Sequence, residues 1–411
     1  MLQRIDVVIV GGGQAGLAMS NCLTRRGIEH VVLERGQIGQ RWHERRAALR
    51  LLTPSWMTRL PGHRYSGPDP DGFLRRDGVI ELLESYSQES DCPVLTGVTV
   101  ERVMLASGGY RVSTDRGVWI ARSLIVATGA CDQPSVPDFG ARLHRSIEQV
   151  TADRFTAAGE LPDGGVLVVG AAASGLQLAD EIARSGKAVT LAAGSHVRVP
   201  RRYRGHDIFY WLDACGALVE ERRPGSRTAE RQPSFQLVGS DTPRAIDLET
   251  VAEIGVRVVG RARAAEGERV TLERTLAHEM ARSQERLERI LDRIDDFIAR
   301  EGLQAPDKTR PAPIAPPDVR CELDLARDGI RTVVWATGYR RRYGWLDVDI
   351  FRDDGEIDQV GGVTPSPGLF TLGLPFMRRR NSTFIDGVGA DAEDIGDAVA
   401  EHLGLSFAEA A

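Results

Sequence analysis

The sequence predicts an α/β fold of two parallel-sheet units, the second inserted into the first. Three observations predict it. A β-branched strand running into a glycine-rich turn and a helix occurs twice, near residues 5–26 and 164–185. A strand ending in Ala-Thr-Gly also occurs twice, at 124–129 and 333–338. The 411 residues, 42% hydrophobic and 27% charged, suffice for two packed cores.

The first unit begins with Ile5 to Val10, an apolar run that fits a strand buried on both faces. Gly11-x-Gly13-x-x-Gly16 follows at once. A helical pattern through Leu17, Met19 and Leu23 stops at Gly27, and a second strand, His30 to Leu33, ends on Glu34. Each part has a physical task. Gly11 allows a tight turn, Gly13 lets backbone approach a pyrophosphate, and Gly16 lets the helix sit close to the strand. The helix N-terminus offers free N–H groups and positive dipole to the phosphate. Glu34 is placed to accept hydrogen bonds from an adenosine ribose.

The second unit runs from Val166 to Val169 into Gly170-Ala171-Ala172-Ala173-Ser174-Gly175, then a helix to Gly186 and a strand, Ala188 to Leu191. Ala172 replaces the middle glycine. A degenerate unit that binds nothing is the alternative. The second strand ends in Ala192-Ala193-Gly194-Ser195, with no acid for a ribose 2′-hydroxyl. Arg198, Arg201, Arg202 and Arg204 follow. Loss of the acid with gain of arginines is the chemistry expected for a 2′-phosphate, so NADPH is expected over NADH. The alternative is a solvated surface loop. Two nucleotide units in one chain imply two cofactors in series, the first most simply FAD. Both are Rossmann-like. An FAD domain of 1–155 and 327–411, with an NADPH domain of 156–326 inserted, is the expected organisation.

With these motifs assembled, the sequence resembles the flavin-containing monooxygenase family and its class B flavoprotein relatives, of glutathione-reductase-like fold. The resemblance spans nearly the whole chain. It rests on Gly11 to Gly16 with Glu34, Gly39-Gln40-Arg41-Trp42, Leu49-Arg50-Leu51-Leu52-Thr53-Pro54, Gly170 to Gly175, both Ala-Thr-Gly segments, and Phe384 to Gly389. It implies an FAD site of Gly11, Gly13, Gln14, Ala15, Gly16, Glu34, Arg35, Gln40, Arg41, Trp42, Thr53, Val100, Ala127, Thr128, Gly129 and Asp386. It implies an NADPH site of Gly170, Ala172, Ala173, Ser174, Gly175, Ser195, Arg198, Arg202, Ala336, Thr337 and Gly338. Thr53 is the one side chain offered as catalytic. The implied reaction is NADPH-driven reduction of FAD, formation of a C4a-(hydro)peroxyflavin with O₂, and transfer of one oxygen atom to a small amine, sulfide or ketone. The family's asparagine beside the flavin is Leu52 here. Phe139-Gly140 with His144 only half matches the family fingerprint between the units.

Within the insert, Asp247 to Val251 predicts a short helix, Val256 to Val259 and Val270 to Glu273 predict strands, and apolar spacing from Leu276 to Ile298 predicts an amphipathic helix over 274–301. Its expected role is packing, or a lid or dimer contact. Pro306 to Pro317 is the linker back. Arg201 to His206 with Phe209-Tyr210-Trp211 either lines the nicotinamide or substrate pocket or forms a cation–π packed turn. Arg340 to Arg342 and Arg378 to Arg380 are expected in solvated loops or beside carboxylates.

The formal charge of −6 argues against bulk attraction to nucleic acid or anionic membrane. No apolar stretch long enough to span a bilayer occurs, and a cytoplasmic protein is expected. The five cysteines include no C-x-x-C, which argues against a zinc knuckle, a metal site of that kind or a local dithiol. Three functions compete: an NADPH- and O₂-dependent monooxygenase, a non-oxygenating NADPH oxidase or reductase, and a redox-sensing FAD- and nicotinamide-binding protein.

Overall fold

The computed structural model describes residues 2–221, 233–241, 244–306 and 308–405. The first unit opens with β1 (Leu2–Val10), α1 (Gln14–Arg25) and β2 (His30–Glu34). The short α2 (Gln40–His43) and the longer α3 (Arg76–Glu89) follow. Then come β3 (Val94–Thr96), β4 (Val100–Ala106), β5 (Gly109–Thr114) and β6 (Gly117–Val126). One sheet holds them in the order Leu346–Asp347, β4, β5, β6, β1, β2, β3, and Leu369–Thr371 pairs with the end of β6. β1 lies parallel to both β2 and β6. Val7 to Val10 are buried, as a continuous apolar run in a covered parallel strand should be.

The chain crosses to the second unit through β7 (Gln133–Pro134) and enters it with β8 (Glu148–Thr151). β9 (Gly165–Val169), α4 (Ala173–Arg184) and β10 (Val189–Ala193) repeat the opening pattern. α5 (Ile208–Ala214), α6 (Leu248–Glu253) and α7 (Leu276–Arg300) follow. The second sheet is wholly parallel, in the order Arg257–Gly260, β10, β9, Ile330–Trp335, β8. Three short antiparallel strands, Ala262–Glu266, Arg269–Leu272 and Glu322–Asp324, stand beside it. Two of the five main strands thus lie outside 156–326, β8 before it and Ile330–Trp335 after it. The reason is steric and apolar together. Val333 and Val334 are fully buried against β9, and the Ala336 carbonyl must reach the turn at Gly170.

The chain returns through Tyr339–Arg340, which pairs antiparallel with β7. α8 (Ile385–Leu403) then packs on α1, and Val388, Ala392, Ile395 and Val399 join Val7, Ile9 and Leu17 in the first core. Full burial of each such Val, Leu or Ile contributes roughly 1.5–3 kcal/mol. α7 presents Leu287, Leu291, Ile294 and Ile298 to Phe209, Trp211 and Leu212 of α5. The spacing of those residues is that of one helical face, the feature that predicts the element. Asp247 caps α6 by accepting the Thr250 N–H.

Candidate functional site: a cavity between two glycine-rich turns

The two turns are built alike. Gly11 has φ +114, and a Cβ there would sit 2.5 Å from the Ala127 carbonyl oxygen. Gly170 has φ +111, and a Cβ would sit 2.4 Å from the Ala336 oxygen. Each turn is therefore crossed closely by its own Ala-Thr-Gly segment, which explains why that segment accompanies each unit. The third glycines lock the helices down. A Cβ on Gly16 would fall 1.9 Å from the Gly11 oxygen, and one on Gly175 1.8 Å from the Gly170 oxygen. Gly13 is different: a Cβ there meets nothing within 4 Å. Its open side leaves room for a pyrophosphate at the start of α1. Glu34 is buried and oriented by the Gly12 N–H at 2.7 Å and the Gly36 N–H at 2.8 Å. Its two oxygens keep lone pairs for a ribose.

Both turns open into one cavity of about 720 Å³. Gly11, Gly13, Gln14 and Ala15 line it from the first unit, and Ala173, Ser174 and Gln177 from the second. Glu34, Arg35, Gln40, Arg41, Trp42, Val100, Ala127, Thr128 and Gly129 are in its wall. The Gln14 amide also donates to the Thr383 carbonyl, tying α1 to the approach to α8.

The wall is rich in arginine. Arg41 bonds Glu44 and the Asp132 carbonyl oxygen. Arg46 reaches across to α4, with Nε 3.3 Å from Glu181 and Nη2 3.3 Å from the Gln177 oxygen. Burial lowers the pKa of Arg46. Arg45 donates to the Tyr339 hydroxyl and lies over its ring, with no carboxylate at ion-pair distance among the described residues. A half-buried cation without a carboxylate suits a site that receives phosphate.

Several expected residues do not line the cavity. Gly16, Gly170, Ala172 and Gly175 shape the turns from behind, and Ala336 and Thr337 are in the crossing segment, where the Thr337 hydroxyl donates to the Ser135 carbonyl; Gly338 follows them and also lies outside the lining. Thr53 is outside the wall, and its neighbour Leu52 is in it. The Leu52 carbonyl is held at 2.8 Å by Arg201. Asp386 is also outside: its nearly buried carboxylate is gripped by Arg59. Burial pushes the Asp386 pKa up, and Arg59 pulls it back only in part.

The arginines after β10 are committed elsewhere. Arg198 is buried, with Nε 2.8 Å from Asp247 and Nη1 2.7 Å from the Ala312 carbonyl. Arg202 is exposed and donates to the Gly205 carbonyl in its own turn. Ser195 sits 3.5 Å from Arg286 on α7. Arg201 stacks on Phe73 and Phe209, and His206 on Tyr210, which is the packed-turn arrangement. Among the other basic runs, Arg341 pairs with Glu356, and Arg378 and Arg379 pair with Asp394 and Asp391.

Sequence reasoning missed Arg45, Arg46, Gln177, Tyr339, Trp345, Pro375 and Thr383, all in the wall. Tyr339 had a usable signal, since it follows an Ala-Thr-Gly segment directly. Pro375 and Thr383 had none, because only the return of α8 onto α1 brings them there.

The fold and the cavity define a two-unit α/β scaffold in which two glycine-rich turns open into one cavity. The chain belongs to the pyridine nucleotide-disulphide oxidoreductase family, whose model matches residues 8–215. It is 27% identical over 405 residues to an uncharacterized oxidoreductase CzcO-like of Geobacillus kaustophilus, covering 98% of this chain and 100% of that one. It is 34% identical over 217 residues to indole-3-pyruvate monooxygenase YUCCA1 of Oryza sativa, covering 49% of this chain and 51% of that one. A flavin-containing monooxygenase from Stenotrophomonas maltophilia shares the fold, with a TM-score of 0.70 at 18% identity over 98% of this chain and 99% of that one.

Proposed function

We propose that the protein is an FAD-dependent monooxygenase that consumes NADPH and places one atom of O₂ on a small amine, sulfide or ketone. The observation that carries this reading is the shared cavity: both glycine-rich turns open into it. Bound FAD would take a hydride from the nicotinamide and pass its electrons to O₂. The chain's residues do the rest. Glu34 and the N-terminus of α1 would hold the FAD ribose and pyrophosphate, and Ala173 and Ser174 would hold the nicotinamide dinucleotide. Arg45, with no carboxylate at ion-pair distance among the described residues, would meet phosphate charge where both units line the cavity. Leu51, Leu52, Trp42 and Pro375 give the wall an apolar part that keeps water from the reacting centre.

The family name includes disulfide reductases, and the cysteines argue against that chemistry here. All five are free thiols, and Cys131 alone among them lines the cavity. Dithiol exchange needs two. The kinship with indole-3-pyruvate monooxygenase over half the chain supports oxygenation.

The test is the ratio of hydrogen peroxide formed to NADPH consumed, measured across a panel of amines, sulfides and ketones. A ratio below one with an accepted compound, and a product heavier by one oxygen atom, supports the proposal. One peroxide per NADPH with every compound makes the protein an NADPH oxidase and points to the aliphatic Leu52. No NADPH consumption at all would leave a cofactor-binding sensor.

A further inference from the structure

The adenosine ribose of a dinucleotide lies at the end of the second strand of its βαβ unit. In the second unit that place is the turn Gly194-Ser195-His196 after β10. Arg198 and Arg202, the arginines nearest in sequence, are turned away, one to Asp247 and one to the Gly205 carbonyl. Two other arginines converge on the turn from distant parts of the chain. Arg286 on α7 donates from Nη1 to the His196 carbonyl at 3.2 Å and lies 3.5 Å from the Ser195 hydroxyl. Arg261 follows the strand Arg257–Gly260 and lies over Gly194. A Cβ on that glycine would stand 2.8 Å from Arg261 Nε and 2.9 Å from its Cζ. Only glycine therefore leaves the guanidinium its seat.

Two arginines and two carboxylates stand around the turn, and only Glu273 lies at ion-pair distance from either arginine among the described residues. Arg286 has no carboxylate at ion-pair distance among the described residues, and Arg261 has Glu273 at 3.6 Å. Glu279, two helical turns before Arg286, acts on His196. His196 is buried, its Nδ1 is bonded to the Gly194 carbonyl, and burial lowers its pKa, so it adds no charge at neutral pH. Both arginines remain partly exposed and reachable by a ligand.

We infer that Arg261 and Arg286, with the Ser195 hydroxyl, bind the adenosine 2′-phosphate of NADPH. The inference rests on the proposal that the second turn takes a nicotinamide dinucleotide. A guanidinium pair is well matched to a phosphate, which accepts forked N–H donors. The cations come from α7 and from the edge of the second sheet, and the loop after β10 supplies only Ser195.

Calorimetric titration of the flavin-loaded protein with 2′,5′-ADP and with 5′-AMP tests it without turnover. The wild type should bind 2′,5′-ADP the more tightly. Arg286→Gln and Arg261→Gln should each weaken that binding by about ten- to a hundredfold and leave 5′-AMP unchanged. Arg286→Lys should restore part of it, and Arg202→Gln should change nothing. Flavin content and thermal midpoint report whether each variant is folded. If both Gln variants keep wild-type discrimination, or if Arg202→Gln alone loses it, the inference fails and the NADPH reading stands. If the wild type prefers 5′-AMP, with Glu273 serving the ribose, the inference and the choice of NADPH fail together. The peroxide ratio still decides oxygenation independently.

Discussion

At the scale of the residue, each glycine of the two turns has a distinct task, and substitutions separate them. Gly11→Ala forces a Cβ against the Ala127 carbonyl in a left-handed backbone, with a cost of about 2–4 kcal/mol from overpacking and conformation together. It should lower both the thermal midpoint and the flavin content. Gly13→Ala meets nothing in the protein, so it should leave the stability of the flavin-free protein within about 1 kcal/mol of wild type, with little change in its thermal midpoint, and still weaken FAD binding. Comparing flavin content with midpoint checks both. Buried imidazoles add a pH dependence. His30 and His196 both have pKa values lowered by burial. The unfolded chain takes protons that these groups refuse when folded. Their stabilisation is therefore complete above about pH 6.5 and declines as the pH falls toward the lowered folded values. Thermal midpoints between about pH 7.5 and 5.5 should fall less steeply in His196→Gln than in wild type.

At the scale of the element, α7 shows what a pattern reveals and what it omits. Its apolar spacing marks a helix over 274–301, and the helix observed is Leu276–Arg300. The spacing does not say what the buried face meets. The fold sets it on α5 and the 52–57 segment, so that Leu291, 1% exposed, packs in a cluster with Phe209 and Met57. Leu291→Ala should cost about 2–5 kcal/mol, read by denaturant unfolding. The polar side has a fastening of its own. Asp295 accepts from the Tyr203 hydroxyl, Arg204 and Arg310, with Lys308 at 3.8 Å, and so ties the proline-rich return segment to α7. Asp295→Ala should free that segment, and limited proteolysis should cut it near residues 305–320 faster than in wild type, at a stability cost of about 1–3 kcal/mol.

At the scale of the whole molecule, the site exists because residues of both units line one cavity. Arg46 spans the units, from the segment after α2 to Glu181 and Gln177 on α4. Arg201 spans them in the other direction and holds the Leu52 carbonyl. Arg46→Ala should leave FAD content unchanged and slow reduction by NADPH by about tenfold or more, seen in anaerobic stopped-flow bleaching of the flavin, because the two ligands lose alignment. An unchanged reduction rate would mean that the Glu181 contact is merely structural.

Much of the scaffold was legible because its signals are local. Gly11, Gly13, Gly16 and Glu34 lie within one βαβ unit, and their tasks follow from backbone sterics and helix-end electrostatics over a few residues. The same holds for Gly170 and Gly175, and for the two Ala-Thr-Gly segments as accompaniments of the turns. The partners of charged side chains were not legible. Arg198 points to Asp247, Asp386 to Arg59, and Arg286 to the turn after β10, in each case across a long stretch of chain. An arginine reaches several ångströms and bonds whatever acceptor the packed backbone brings near, so neighbours in sequence do not choose its partner. The sequence by itself determined two glycine-rich turns and the strands and helices that carry them. Only the tertiary structure decided that Ile330–Trp335 and β8 complete the second sheet and that both turns share one cavity. It also decided which arginines face that cavity or the end of β10, because burial and long-range pairing settle those choices.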